Sequence, residues 1–350
     1  MNISFVVDKP YQNNKIFDIK EPTRVKYRKL REVLENQGFS INTQDLCHNI
    51  DIDIDIAIYF DIPDDFLEKL DKNIKNYALL IESPLIKPNN FNTSYYECFN
   101  KIFTWSNSLI EKNKKYNKFI KIQYAFDFKK RVTSRVYEKK KLCSLIVSNK
   151  SSGFEGELYS KRKEIIKWFE VNHPSDFDLY GKGWNKYKSN NFLTSLAAKN
   201  KYISHYLLKI TGNHFTSYRG VVGDKIDKLL EYKFTITFEN IQDIPGYITE
   251  KIFDAFFADC VPIYLGANDI CKYIPKNCFI DMRDFKSYNE LYFFLTTMSE
   301  SNYIEYLNNI RNFLESNNAL PFTIDNFVNT IVSEIKDDAR KKRSNQQINL

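Results

Sequence analysis

Short apolar runs alternate along this chain with segments of helical periodicity, and this alternation limits the fold more than any other feature. The first half has apolar runs of strand length at 3–7, 57–60, 78–81, 101–105 and 119–124. Between the first two runs, residues 24–37 carry apolar side chains at helical spacing until Gly38. Strands that alternate with helices pair in parallel and are covered by the helices. We therefore predict an α/β fold with mostly parallel sheet.

The same pattern begins again in the second half, so 350 residues suit two domains. Strand runs at 142–147, 234–238 and 261–265 alternate with helical patterns at 158–171, 225–231, 249–258, 288–298, 303–316 and 324–335. The stretch 128–141 between the halves is strongly basic, and we interpret it as a surface crossover or as one exposed basic helix. We predict domains at 1–135 and 136–337, then a basic tail at 338–350. Such domains bind ligands in a cleft outside the carboxyl ends of their strands.

Charge and composition exclude several classes of protein. The net charge of +7 suits an anionic ligand or membrane surface but is too small to indicate nucleic acid. The six cysteines show neither CxxC pairs nor zinc-ligand spacing, which fits a reducing compartment. No apolar run is long enough to span a bilayer, and the N-terminus lacks the pattern of a secretory leader. We expect a cytoplasmic protein. The basic residues 340–343 are consistent either with contact to anionic lipid or with a disordered solubilising tail.

One segment, 232–266, concentrates polar residues where a strand passes into a helix. Its sequence is YKFTITFENIQDIPGYITEKIFDAFFADCVPIYLG. Backbone N–H groups at the start of a helix attract anions, and Lys251 adds a full positive charge there. Glu250 can accept hydrogen bonds from sugar hydroxyls. The alternative interpretation is that Thr249 caps the helix and that Glu250 and Lys251 are ordinary first-turn residues.

The order of FEN, GYITEK and PIYLG in this segment resembles the signature of the α1,3/4-fucosyltransferases of glycosyltransferase family 10. Upstream elements that resemble bacterial members are DLYG at 178–181, YRG at 218–220, DK at 224–225 and YKF at 232–234. The close match covers about 142–283. The first half resembles the family only through IESP at 81–84.

The resemblance implies a GT-B fold, in which the C-terminal Rossmann-like domain binds GDP-fucose and the N-terminal one holds the acceptor. The family's donor-site residues correspond to Arg162, Asn240, Tyr247, Glu250 and Lys251. Further candidates for the donor pocket are Tyr218, Lys225 and Glu239. Because cationic side chains would stabilise the departing diphosphate, we expect no divalent ion and no other cofactor.

The reaction also needs a base, because an acceptor hydroxyl is a poor nucleophile. Family members use a glutamate in a loop of the N-terminal domain, and Glu82 corresponds best, since it follows the apolar run 78–81 and precedes Pro84. Attack opposite GDP would convert the β-linked donor into an α-linked product. The resemblance implies an oligosaccharide or lipid-linked glycan acceptor, with α1,3 linkage to N-acetylglucosamine or glucose. When the resemblance is set aside, the favoured interpretation of Glu82 is a residue of a surface turn.

Two rival functions stay open: the same fold with another GDP-sugar as donor, or a family member that binds a nucleotide or glycan without catalysis. Other motifs give weaker evidence of function. Asp51, Asp53 and Asp55 imitate a metal-binding DxD motif, but their alternation with isoleucine is typical of a half-exposed strand or the approach to one. The segment 181–183 lacks P-loop spacing, and the four histidines are scattered.

Overall fold

The computed structural model describes residues 1–18, 22–47, 53–128, 141–186, 200, 203, 207 and 214–348. The basic stretch at 129–140 and Asp51 of the aspartate run lie outside the described residues. By packing, the chain divides into two compact units. Unit 1 comprises Met1–Lys129, Ile244–Ile248 and Asn317–Leu350, and unit 2 comprises Lys130–Asp243 and Thr249–Ser316.

The described residues form two sets of strands and helices, numbered here along the chain. The strands are β1 (Asn2–Val6), β2 (Ser40–Thr43), β3 (Ile56–Phe60), β4 (Lys75–Leu80), β5 (Lys101–Thr104), β6 (Phe119–Lys121), β7 (Lys141–Ile146), β8 (Phe177–Tyr180), β9 (Tyr232–Phe238), β10 (Val261–Leu265) and β11 (Ile280–Asp281). The α-helices are α1 (Val25–Glu35), α2 (Gln44–Cys47), α3 (Phe66–Lys69), α4 (Asn107–Lys112), α5 (Tyr159–Asn172), α6 (Lys225–Leu229), α7 (Glu250–Phe257), α8 (Tyr288–Thr297), α9 (Glu300–Glu315) and α10 (Ile324–Ile348).

Unit 1 is built on a parallel sheet in the order β2-β1-β3-β4-β5-β6. Its central strands are apolar almost throughout, because helices or loops cover both faces of a parallel sheet. The C-terminal helix α10 packs on α1, with the rings of Tyr27 and Phe327 6.1 Å apart. Farther along α10, buried Asp338 accepts a 2.5 Å hydrogen bond from the Tyr77 hydroxyl of β4.

This packing gives a different division of the chain from the sequence prediction, which assigned 317–337 to the second domain. The last helix buries an apolar stripe, Phe327, Val328, Ile331, Val332 and Ile335, within unit 1. The helix also extends beyond the predicted end at Ile335, into the stretch predicted as a separate basic tail. Helical periodicity identifies the buried face of a helix, but it does not say which sheet that face covers.

Unit 2 has its own parallel sheet in the order β11-β10-β9-β7-β8. The helix α7 joins β9 to β10 and is covered on its apolar face, where Ile252, Phe253 and Phe256 are fully buried. Because the strands run parallel, the carboxyl ends of β7, β8 and β9 meet at one edge of this sheet. The predicted polar residues of the 232–266 segment, which follow β9, therefore begin at that edge of the sheet.

Gly181 lets two chain segments meet at the same edge. It follows β8 with a φ of +128°, and a Cβ atom there would lie 1.9 Å from the carbonyl oxygen of Val147, just after β7. We expect Gly181→Ala to lower the free energy of unfolding by at least about 3 kcal/mol, because the strand ends must separate and the backbone is strained. Urea unfolding measures the change.

Gly223→Ala is the matched control for this prediction. Gly223 lies in the same unit, with nothing within 4 Å of its added Cβ. We expect the control to change stability by less than about 1 kcal/mol. Equal effects of the two substitutions would show that the close approach at Gly181 does not matter.

Two further observations concern membrane-spanning helices and the chemistry of a cysteine. Among the helices that the structure describes, none combines the length and the apolar character needed to cross a bilayer. Burial raises the pKa of the Cys278 thiol to about 12. The cytoplasmic location and the contact of the basic tail with anionic lipid stay predictions.

Candidate functional site

A buried carboxylate at the carboxyl end of β9 organises the candidate site. Glu239 is fully buried and accepts hydrogen bonds from the backbone N–H and the hydroxyl of Thr249, at 2.8 and 2.7 Å. The Lys251 ammonium donates to the same carboxylate at 3.0 Å. A buried ion pair is tolerated when such additional hydrogen bonds satisfy its atoms. Glu239 thus ties the first turn of α7 to the end of β9.

Thr249 occupies the N-cap position of α7. Its side chain does not cap α7. The hydroxyl instead donates to Glu239, and the Lys251 ammonium lies 2.8 Å from the same hydroxyl. Thr249 and Lys251 are thus held against Glu239 at the strand end, whereas the Glu250 side chain is 42% exposed.

Arg162 reaches the same strand end from α5. Its side chain is buried, and Nη2 donates to the carbonyl oxygen of Phe238 at 2.6 Å and to Oδ1 of Asn240 at 3.1 Å. The guanidinium also lies over the ring of Tyr159, 5.2 Å from its centroid. Arg162 and Lys251 therefore converge on three consecutive residues, 238–240. Arg162 bonds to the first and the third of them, and Lys251 bonds to the carboxylate of the second, Glu239.

The charges in this group influence one another. Burial lowers the pKa of Lys251, but the carboxylates of Glu239 and Glu250 outweigh it, so the pKa lies above its ordinary value even though the Arg162 charge opposes them. Burial raises the pKa of Glu250, and the ammonium groups of Lys251 and Lys225 outweigh it and hold it below its usual range. Both side chains stay charged at neutral pH.

Lys225 extends the group on the other side of Glu250. Its ammonium lies 3.2 Å from Oδ2 of Asp254 and 3.9 Å from Oε1 of Glu250. Burial raises the pKa of Asp254 to about 6; Lys225 opposes the rise and Glu250 adds to it. Asp254 was not identified from the sequence. Its spacing of four residues from Glu250 on one helix face is the signal that would have identified it.

Two further residues predicted for the donor pocket are tyrosines. Tyr218 donates its hydroxyl to the carbonyl oxygen of Gly181 at 3.0 Å, after β8. Tyr247 belongs to unit 1, where it is almost fully buried, with its ring 4.9 Å from Trp105 and 6.1 Å from Tyr124. The roles of both tyrosines in donor binding stay predictions.

Glu82 lies just after β4 in unit 1 and is half-buried. Its backbone N–H donates to the carboxylate of Asp61 at 3.0 Å, and its carbonyl accepts from the Asn90 amide at 3.1 Å. Asp61 and Asn90 were not identified from the sequence. Asp61 comes directly after β3, so a carboxylate at a strand end was a signal within reach.

Metal-ligating side chains show no clustering in the part of the chain that the structure describes: no group of three or more His, Cys, Asp or Glu residues could hold an ion there. In the aspartate run, Asp55 precedes β3, and its carboxylate accepts a 2.8 Å hydrogen bond from the backbone N–H of Asn2.

Solved structures share this fold at low sequence identity. An α1,3-fucosyltransferase with GDP-fucose superposes with a TM-score of 0.52 at 16% identity, covering 91% of each chain. Anabaena HepE in complex with UDP-glucose gives a TM-score of 0.56 at 11% identity, covering 97% of this chain and 100% of that one. The predicted class, an α/β GT-B fold of two Rossmann-like domains, is confirmed. Since one of these structures holds GDP-fucose and the other UDP-glucose, the fold alone does not identify the donor.

Curated relatives match over a shorter stretch. The α-(1,3)-fucosyltransferase FucT of Helicobacter pylori is 37% identical over 91 residues, which is 26% of this chain and 17% of the relative. The 4-galactosyl-N-acetylglucosaminide 3-α-L-fucosyltransferase 9 of Mus musculus is 39% identical over 93 residues, 25% of this chain and 26% of the relative. The matches thus span about a quarter or less of these relatives' length.

The family model covers far more of the chain. The model described as "Glycosyltransferase family 10 (fucosyltransferase) C-term" matches residues 136–349. That range includes Arg162 and the whole segment from FEN to PIYLG, so it contains the cluster around Glu239. The chain belongs to glycosyltransferase family 10.

Proposed function

We propose that this protein is an inverting fucosyltransferase that moves L-fucose from GDP-β-L-fucose to a hydroxyl of a glycan acceptor. The observation that carries the proposal is the convergence of Arg162 and Lys251 on residues 238–240, inside a family 10 domain. The names of the curated relatives and the GDP-fucose complex of a structural relative support the choice of donor.

In the proposed reaction these cations stabilise the departing GDP. When the bond between C1 of fucose and the β-phosphate oxygen breaks, its electron pair remains on that oxygen, so negative charge develops on the diphosphate in the transition state. A guanidinium held through Nη2 is a pre-oriented fork of the kind that clamps phosphate oxygens. Lys251 adds a point charge. With two cations available, the proposed mechanism needs no divalent ion.

Glu82 is the proposed base. The acceptor oxygen attacks C1 from the face opposite GDP while its proton passes to the Glu82 carboxylate, so one C–O bond forms as the other breaks. This displacement inverts the β-linkage of the donor into an α-linkage. The α1,3 names of the relatives support transfer to O3 of N-acetylglucosamine or glucose.

The test of the donor is a transfer assay with GDP-fucose and GDP-mannose, each offered with N-acetyllactosamine and lactose. We expect kcat/KM for GDP-fucose to exceed that for GDP-mannose at least about 100-fold, because a sugar pocket with hydrogen bonds to hydroxyls rejects the wrong sugar strongly. A preference for GDP-mannose would establish the rival donor. Binding of GDP without transfer from either sugar would indicate a non-catalytic family member.

A further inference from the structure

The peptide that carries Glu82 is held by side chains rather than by the sheet. Beyond the end of β4, the backbone N–H groups of Ile81 and Glu82 both donate to Oδ1 of Asp61, at 2.7 and 3.0 Å. The amide of Asn90 donates to the same Oδ1 at 2.7 Å and to the carbonyl oxygen of Glu82 at 3.1 Å. Asp61 and Asn90 thus bind Glu82 on both sides of its Cα atom.

The remaining polar group of this peptide is held as well. The carbonyl oxygen of Ile81 accepts hydrogen bonds from Nε1 of Trp105 at 2.7 Å and from the hydroxyl of Tyr124 at 2.5 Å. All four backbone polar groups of residues 81–82 therefore bond to side chains from other segments of unit 1. A surface turn has no need of such a constraint, because water satisfies its backbone groups.

Burying the polar side chains that hold Glu82 costs free energy of folding. Asp61 and Asn90 are 2% and 0% exposed, and Asp61 has a φ of +57°, in the left-handed region that aspartate adopts more readily than most residues. Burial raises the pKa of Asp61, although the hydrogen bonds from Glu82, Ile81 and Asn90 oppose the rise. Buried titratable groups with a shifted pKa concentrate at functional sites.

Asn90 is fixed in its turn. Its Oδ1 accepts from the backbone N–H of Ile62 at 2.8 Å, and its own carbonyl accepts from the hydroxyl of buried Tyr96 at 2.7 Å. The amide orientation is therefore determined, with Oδ1 toward Ile62 and Nδ2 toward Asp61. The constraint on Glu82 continues into the core of unit 1.

We propose that Asp61 and Asn90 are positioning residues, which hold the backbone of Glu82 so that its carboxylate keeps the geometry needed for proton transfer. This inference rests on the proposed function, in which Glu82 is the base. Neither residue touches the substrate in this proposal. Both act only through Glu82, because a displacement of about 1 Å in a reacting group is enough to lower a rate about 100-fold.

The first test is a double-mutant cycle between Asp61→Asn and Glu82→Gln. Asparagine keeps an Oδ1, but its neutral amide oxygen accepts the three hydrogen bonds more weakly than a carboxylate does. We therefore expect Asp61→Asn alone to lower kcat about 10- to 100-fold while the acceptor KM and the affinity for GDP change less than about twofold. In the Glu82→Gln background, Asp61→Asn should have no further effect, because the group it positions no longer takes a proton. Asp64→Asn is the matched control: it makes the same change three residues away, at an exposed carboxylate, and should leave kcat unchanged.

A second pair of variants carries less risk for folding. Tyr124→Phe removes one hydrogen bond to Ile81 and keeps the ring, and we expect it to lower kcat by a smaller factor than Asp61→Asn does. Tyr59→Phe is its control, because the Tyr59 hydroxyl also donates from a buried ring to a carbonyl oxygen of unit 1, that of Lys69. Equal rates for the two variants would contradict the proposal.

Hydrogen exchange separates failure of this inference from failure of the proposed function, because it needs no activity. Asp61→Asn should accelerate amide exchange at Ile81 and Glu82 and leave β1 protected. Faster exchange without any effect of Glu82→Gln on transfer would show that the restraint exists but that Glu82 is not the base. Unchanged exchange, or multiplicative effects of Asp61→Asn and Glu82→Gln on kcat, would overturn the positioning role.

Discussion

Glu82→Gln should remove nearly all fucosyl transfer while GDP still binds with close to its original affinity. The substitution keeps the size and the polarity of the side chain, but the amide cannot accept the proton of the acceptor hydroxyl. Loss of a positioned general base costs about 10²- to 10⁴-fold in rate. Rates are measured by transfer of labelled fucose at saturating donor and acceptor, and GDP affinity by calorimetry.

Glu97→Gln is the control for this substitution, since Glu97 is an exposed glutamate of the same unit. It should leave both quantities unchanged. A Glu82→Gln enzyme that keeps its full rate would require another base. A parallel loss of GDP affinity would mean that the substitution disturbs more than proton transfer.

Arg162→Lys should weaken GDP binding and slow turnover, although it preserves the positive charge. Lysine lacks the planar fork, and it cannot reproduce the two hydrogen bonds of Nη2 to Phe238 and Asn240. A charge-assisted hydrogen bond to phosphate contributes about 1.5–3 kcal/mol, so the Kd for GDP should rise about 10- to 100-fold. Because the charge on the leaving group grows in the transition state, kcat should fall about 10²- to 10³-fold.

The control for this prediction is Arg311→Lys. Arg311 forms a two-point contact with the buried carboxylate of Asp259 elsewhere in unit 2, at 2.9 and 3.3 Å. We expect this control to lower thermal stability and to leave the Kd for GDP unchanged. If Arg162→Lys behaved in the same way, Arg162 would support the fold alone.

Lys251 requires a paired design, because its removal leaves the buried carboxylate of Glu239 without its cation. Breaking a buried ion pair costs about 3–5 kcal/mol in stability. Lys251→Met is therefore best combined with Glu239→Gln, which removes the second charge as well. We expect the double variant to remain folded and to bind GDP more weakly than Glu239→Gln alone.

Much of the fold follows from local pattern. Buried parallel strands are continuous apolar runs, which is why the predicted runs at 57–60, 101–105, 142–147 and 261–265 lie within a residue of the observed strands. The edge strand β2, with the sequence SINT, was missed, because Ile41 is the one apolar residue among its four. Its partner β1 supplies the hydrogen bonds that make it a strand.

The candidate site was predictable only in part, for a related reason. GYITEK identified Lys251 and Glu250 because a strand-to-helix turn is a compact motif. Asp61 and Asn90 are separated from Glu82 by 21 and 8 residues, and their contacts arise only when the strands assemble. The place of Asp61 after a strand was a signal, but no regular spacing along the sequence links Asp61 or Asn90 to Glu82.

Calorimetric titration of GDP into metal-stripped protein, with and without added Mg²⁺, tests the central claim most directly. The claim is that Arg162 and Lys251 together bind the diphosphate. We expect GDP to bind in the presence of a chelator, with a Kd that Mg²⁺ changes less than about threefold and that Arg162→Lys raises about 10- to 100-fold. Binding only after Mg²⁺ is restored, or equal affinity in the wild type and Arg162→Lys, would contradict the claim.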